Sequence, residues 1–265
     1  MGKGAGRRDT RGLRGAWSTF QRHSYFEPAP ELAPFVAYYW VVVWDLRDQP
    51  PYRQLIVPYP NVHLTFRNGV AGVQGVSRGH VYRTLEGAGR VCGVAFRPGC
   101  FRPFLGAPVS TITGRRIPAE EVFGPDVPER AMAATEDGAE MVRIVERFLR
   151  TNLPDRDQEA DRVADIVARV ALEPSIARVD DLADRVGDGV RRLQRLFAEY
   201  VGVGPKWVIR RYRLHEVTER LAKGAAVDWA RLAIELGYAD QAHFIRDFTA
   251  MNGESPARYA ERYPR

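Results

Sequence analysis

Cysteine is nearly absent: Cys92 and Cys100 are the only two in 265 residues. Two thiols so placed give neither a disulfide framework nor a CxxC metal pair, and they point to a reduced, cytoplasmic setting. No stretch approaches the roughly 18 consecutive apolar residues of a membrane-spanning helix, so insertion into a bilayer is not expected. The opening residues 1–15 are basic (Lys3, Arg7, Arg8, Arg11, Arg14) but lead into no apolar segment, so a secretory leader is not expected either. HExxH and Walker A sequences are missing, and Gly69, Gly72 and Gly75 have the wrong spacing for a dinucleotide fingerprint. The chain therefore reads as a non-enzyme with no cofactor and no metal. What is present is an ordinary globular composition, 45% hydrophobic and 27% charged, which excludes disorder or a collagen-like chain. The net charge of +6 is unevenly spread, with +7 over residues 1–130, −4 over 131–173 and +3 over 174–265. A basic balance fits nucleic acid or an acidic surface without choosing between them.

Residues 1–20 are Gly/Arg-rich and read as a mobile arm. Between about Tyr25 and Val122, short runs rich in β-branched and aromatic residues alternate with turn signals. The runs are Val36 to Trp44, Gln54 to Val57, His63 to Phe66 and Val91 to Phe96; the turns include Pro50-Pro51, Pro60-Asn61 and Asn68-Gly69. This predicts a β-rich domain over 21–130, a barrel or sandwich. From Pro128 the period becomes helical. Met132, Met141, Ile144, Val145, Phe148 and Leu149 form one stripe, and Val163, Ile166, Val167 and Val170 another, with a break at Thr151–Asp157. These two acidic helices over 131–173 are expected to be a connector or a dimer contact. After Pro174 the pattern is helical almost to the end. The fold class is thus α+β, with an all-α C-terminal domain over 174–265.

That last region contains an internal repeat. Leu182-Ala183-Asp184-Arg185-Val186-Gly187 resembles Leu232-Ala233-Ile234-Glu235-Leu236-Gly237 at an offset of 50 residues. Past each glycine the match resumes at 51, pairing Leu193 with Phe244, Arg195 with Arg246, Phe197 with Phe248, Gly202 with Gly253 and Pro205 with Pro256. One inserted residue in a turn, followed by restored register, is what two copies of one supersecondary unit show. Each copy reads as helix, tight turn, helix. The alanine allows a close helix crossing, the glycine supplies positive φ, and Asp188 or Asp240 can cap the next helix. Leu193 with Phe197, and Phe244 with Phe248, bury one face of that second helix and leave a polar face outside. This is helix-turn-helix patterning, in which the second helix enters the DNA major groove. Between the copies, Pro205 to Lys223 suits one helix of about 28 Å, with Trp207, Leu214, Val217 and Leu221 as core contacts and Gly224 as its stop. Such a rod can hold two reading helices roughly one DNA turn, about 34 Å, apart.

Residues 174–262 resemble the DNA-binding domain of AraC/XylS-family transcription regulators. The resemblance is carried by Gly237-Tyr238-Ala239-Asp240-Gln241-Ala242-His243-Phe244-Ile245-Arg246-Asp247-Phe248, followed by Gly253-Glu254-Ser255-Pro256 and Tyr259, and covers about a third of the chain. Gly189 stands where that family commonly has a capping Ser, and Gly204 replaces a Ser before Pro205. The resemblance implies base-reading positions at Arg191, Gln194 and Arg195 in the first motif and at Gln241, Ala242, His243 and Arg246 in the second. The chemistry agrees independently, since Arg can bridge guanine O6/N7 and Gln adenine N6/N7. Arg192, Lys206, Arg210, Arg211 and Arg231 are candidate phosphate contacts. Arg195 and Arg246 could instead brace the fold, and His243 could cap or pack.

The segments Pro58-Tyr59-Pro60-Asn61-Val62-His63-Leu64-Thr65-Phe66 and Gly93-Val94-Ala95-Phe96-Arg97-Pro98-Gly99 are similar to motifs of an uncharacterised β-rich domain that often precedes this DNA-binding domain. In related regulators a cupin-like barrel there senses a small molecule or supports dimerisation, which implies an effector site. Trp40, Trp44, Tyr59, His63 and Phe66 are its candidate lining, with ordinary core packing as the alternative for the aromatics. The expected function is a transcription regulator reading two successive major-groove segments. The expected partners are double-stranded DNA, a small-molecule effector, RNA polymerase and a second copy of the chain. The competing class is a small-molecule-binding or enzymatic β-barrel protein with a helical interaction module.

Overall fold

A computed structural model describes residues 21–222 and 228–261. The basic arm at 1–20, and Lys223 with Gly224, lie outside the described residues. Eight strands appear in the first half: β1 (Gln21–Phe26), β2 (Val36–Leu46), β3 (Tyr52–Ile56), β4 (His63–Arg67), β5 (Val70–Gln74), β6 (Val81–Leu85), β7 (Gly87–Phe96) and β8 (Arg116–Pro118). Six form one antiparallel sheet in the order β1-β2-β7-β4-β5-β8, while β3 and β6 pair as a separate ribbon. The β-rich expectation therefore holds in its sandwich-like form; among the described residues the sheets do not close into a barrel. The β4–β5 hairpin turns on Asn68 and Gly69, both at positive φ (52° and 75°), the pairing that a two-residue turn matched to strand twist demands.

Both faces of the large sheet are covered because β2 and β7 carry apolar residues on each side, while β4 adds Leu64 and Phe66 to one of them. One face presents Tyr39, Val41, Leu64, Phe66, Cys92, Val94 and Phe96, all buried. It packs on α4 (Gly138–Thr151) through Met141, Val145, Phe148 and Leu149, each such side chain contributing about 1.5–3 kcal/mol when fully removed from water. On the opposite face Val42, Trp44 and Leu46 meet Val91 and, across the gap, Leu85 of the ribbon. Trp40 and Trp44 stand opposite Gly93 and Gly89 of β7. A Cβ at either glycine would overlap the facing indole, so glycine there is what lets the two rings lie flat across the strand.

Helix α5 (Gln158–Leu172) starts on the Asp157 cap, which accepts from Glu159 and Ala160 N–H. Its stripe of Val163, Ile166, Val167 and Val170 packs into the core of the first C-terminal motif, not against the sheet. The apolar stripes of α4 and α5 are thus both buried within one chain. Neither stripe is therefore left free to serve as a dimer contact. Cys92 and Cys100 are buried and free, and burial pushes their thiols up to about 12 and about 11. Among the described residues no helix is long and apolar enough to cross a membrane.

Candidate nucleic-acid interface

The repeated sequence builds a repeated structure. In the first copy α6 (Val179–Val186) runs to Gly187 at φ +67°, and α7 (Val190–Tyr200) follows. In the second, α9 (Trp229–Glu235) leads to Gly237 at φ +76°, and α10 (Gln241–Asn252) follows. The turns close with equivalent backbone bonds: Asp188 N–H donates to Ala183 carbonyl at 3.1 Å, and Tyr238 N–H to Ala233 carbonyl at 2.9 Å. Leu182 with Ala183, and Leu232 with Ala233, are buried at the helix crossings. Leu193, Phe197, Phe244 and Phe248 are each fully buried. Gly202 and Gly253, again equivalent, both adopt positive φ (89° and 80°).

Anchoring one face of α7 and α10 fixes which residues the other face offers. Arg191, Gln194 and Arg195 are exposed on α7; Gln241, Ala242 and Arg246 are exposed on α10. His243 is half-buried, its ring edge-on to Tyr238 at 5.2 Å and its Nε2 3.8 Å from Asp247. The helix starts differ between the copies. Asp240 caps α10 by accepting from His243 N–H at 2.7 Å, whereas α7 begins after Gly189 with no side-chain cap. Asp188 does not serve as that cap. Its carboxylate pairs with Arg162 at 2.6 Å and Arg192 at 3.5 Å, because α5 brings a guanidinium within reach.

Helix α8 (Pro205–Ala222) joins the motifs and is about 27 Å long over its 18 residues. Val208 and Ile209 belong to the first motif's core, Leu214, Val217 and Leu221 to the second's, and Trp207 touches both. One rod thus contributes to two cores.

The candidate phosphate contacts fare unequally. Lys206 is exposed. Arg231 is exposed and paired with Glu235 at 3.0 Å, and Arg192 is tied to Glu159 at 2.9 Å. Arg210 braces α8 to α10, pairing with Asp247 at 2.8 Å over the face of Tyr238 at 5.6 Å. Arg211 is the correction. It is buried, donates to the Pro58 carbonyl and lies 3.9 Å from the Tyr59 ring centroid, so in this arrangement it faces no solvent and no phosphate. The sequence marked Arg210 and Arg211 only as charge on a helix; their partners come from Asp247 and the β3–β4 loop, which no local pattern reveals.

The five candidate effector residues do not share a site. Trp40 donates from Nε1 to His63 Nδ1 at 3.3 Å, and Trp44 packs on the same side of the sheet. Phe66 belongs to the opposite face, where it helps line a cavity of about 330 Å³ with Arg90, Glu129, Met132 and Met141. Tyr59 leaves the sheet altogether, its hydroxyl 3.1 Å from His215 Nδ1 on α8. Among the described residues no group of three or more His, Cys, Asp or Glu is arranged to hold a metal.

Comparison with known families agrees with this layout. Residues 182–262 match a helix-turn-helix domain family, and residues 24–118 match a domain of unknown function (DUF6597). No curated protein matches the chain. Similar solved structures include an apo point variant of ToxT from Vibrio cholerae, at 14% identity, TM-score 0.40, covering 85% of this chain and 97% of that one. Another is wild-type Vibrio cholerae ToxT bound to an unsaturated fatty acid, at 11% identity, TM-score 0.39, covering 92% and 96%. The chain carries a C-terminal helix-turn-helix domain behind an N-terminal domain of the DUF6597 family.

Proposed function

We propose that this protein is a sequence-specific DNA-binding transcription regulator whose two motifs read two successive major-groove segments. The reading rests on one observation above all: two equivalent helices, each with its apolar face fully buried, leave Arg191, Gln194 and Arg195, and Gln241, Ala242 and Arg246, in solvent. Exposed Arg and Gln on a rigid helix are the groups that bridge guanine and adenine edges. Lys206, Arg192 and Arg231 supply phosphate attraction, the latter two after exchanging exposed ion pairs of small net value. His243 acts from a half-buried position, as a brace for the helix that presents its neighbours. The functional divisions are a basic arm over 1–20, a β-rich sensor or dimerisation domain over 21–130, a connector over 131–173 and the DNA-binding domain over 174–265. A small molecule bound by the β-rich domain, or a second copy of the chain, controls DNA binding through unequal affinity for two domain arrangements. RNA polymerase is the downstream partner.

Selection of duplexes from a random library by the full chain, followed by affinity titration against salt, tests the reading. A shared sequence and a log–log slope of about −0.9 per neutralised phosphate are expected. Failure to enrich any sequence, or salt-independent binding, would overturn it.

A further inference from the structure

The β-rich domain touches both motifs, and it does so at the same place in each. At the repeat offset of 51, Glu199 corresponds to Ala250 and Gly202 to Gly253. In the first copy Arg102 of α1 (Arg102–Leu105) donates from Nε to Glu199 at 3.0 Å. Thr113 Oγ1 donates to the Gly202 carbonyl at 2.6 Å. A Cβ on Gly202 would stand 2.8 Å from Thr113 Oγ1 and 3.1 Å from the Val109 carbonyl. In the second copy the Ala250 carbonyl accepts from His80 N–H at 3.3 Å and from His80 Nδ1 at 2.7 Å. A Cβ on Gly253 would stand 2.9 Å from Leu55 and 3.0 Å from the Tyr82 hydroxyl. A carbonyl can only accept, so Nδ1 of His80 carries the proton.

The two gripping segments are themselves one piece. Gly75 N–H donates to Arg115 carbonyl at 3.0 Å and Gly114 N–H to Val76 carbonyl at 2.9 Å, extending the β5–β8 pairing of Gln74 with Arg116. Midway along, Trp207 of α8 donates to the Arg78 carbonyl at 2.8 Å. A continuous strut therefore runs from Thr113 through Val76 and Arg78 to His80, alongside α8. One rod packed into two cores sets their spacing and a mean rotation; a second connection limits twisting about that mean. Rotation matters because a shift of one base pair turns the groove by about 35°, given about 10–10.5 base pairs per turn.

We infer that Arg102, Thr113 and His80 are positioning residues that lock the rotation between the two reading helices, so that the β-rich domain sets which spacing of half-sites the protein accepts. This rests on the two-segment reading proposed above. The test uses the full chain and the sequence that the wild type selects from a random duplex library, rebuilt with one base pair added or removed between its halves. The wild type should bind both altered spacings much more weakly. His80→Ala combined with Thr113→Val should shrink that penalty roughly 5- to 150-fold, the value of losing one net hydrogen bond at each of two corners, while affinity for a duplex carrying a single half-site stays unchanged. His80→Asn, which keeps a side-chain N–H, should retain the wild-type penalty. Arg102→Ala removes only a partly exposed pair and serves where the double variant does not fold; it too should lower the penalty. An unchanged penalty in the folded variants, or an equal affinity loss at all three spacings, overturns the inference alone. A wild type that selects no sequence overturns the DNA-reading proposal and this inference with it.

Discussion

Arg246 and Arg210 separate reading from bracing. Both lie at the second motif, yet no hydrogen bond or ion pair to Arg246 is found among the described residues, and it is exposed on α10. Arg210 joins α8 to Asp247 at 2.8 Å with both side chains roughly 30% exposed. Replacing Arg246 by Ala should leave stability within about 0.5 kcal/mol, as expected of an unpartnered surface position. If it bridges a guanine, the same change should weaken binding at the selected site by about 1–3 kcal/mol, roughly 5- to 150-fold, and relax one base position. Replacing Arg210 by Ala strands a half-buried carboxylate and should lower stability by about 1–3 kcal/mol. Urea melts give the first quantity and fluorescence-anisotropy titration on the selected duplex and its single-base variants gives the second. A destabilised Arg246→Ala, or one whose base preference matches the wild type, would remove Arg246 from the reading set.

Other outcomes follow from the same contacts. Gly187→Ala meets open space and should cost only the left-handed backbone penalty of about 1–2 kcal/mol, whereas Gly202→Ala adds contact with Val109 and Thr113 and should cost more; equal urea midpoints would contradict this. Asp240→Ala should lose about 1 kcal/mol through the α10 cap, while Gly189→Ser should gain part of that amount at the uncapped start of α7; both are read by thermal melts. Cys92 and Cys100 should resist thiol reagents at pH 8 in the folded protein and react after unfolding. Because burial raises the Cys92 thiol to about 12, its share of stability is intact below about pH 9 and declines as pH rises from there toward 12. A urea midpoint unchanged between pH 8 and 10.5 would count against that burial.

Much of the molecule was legible in one dimension because its signals are local or repeated. The helix-turn-helix pair could be read from an offset that brings Leu182, Ala183 and Gly187 onto Leu232, Ala233 and Gly237, and these residues occupy equivalent places in space. The strands showed themselves by β-branched and aromatic runs, since a half-buried pleated surface selects those side chains. Legibility stopped where long-range partners decide. Asp188 has the chemistry of a cap, but Arg162, 26 residues away in sequence, claims it. Arg211 looks like any helix-borne cation until the Pro58-Tyr59 loop folds over it. Trp40 and Phe66 both sit in strands, and only the pairing register assigns them to opposite faces. The strut from Thr113 to His80 joins residues with no shared motif, so no inspection of neighbours in sequence would connect them.

The placement of α5 bears on where the chain can be cut. Its valines and Ile166 line the same core as Ile176, Phe197 and Val208, and the buried guanidinium of Arg213 donates to the Val170 carbonyl. A fragment beginning at residue 174, the natural choice from the repeat alone, would strip a wall from the first motif and leave that guanidinium facing a vacancy. Beginning at Asp157 instead keeps the wall together with the aspartate that starts it, and should yield a fragment that still folds.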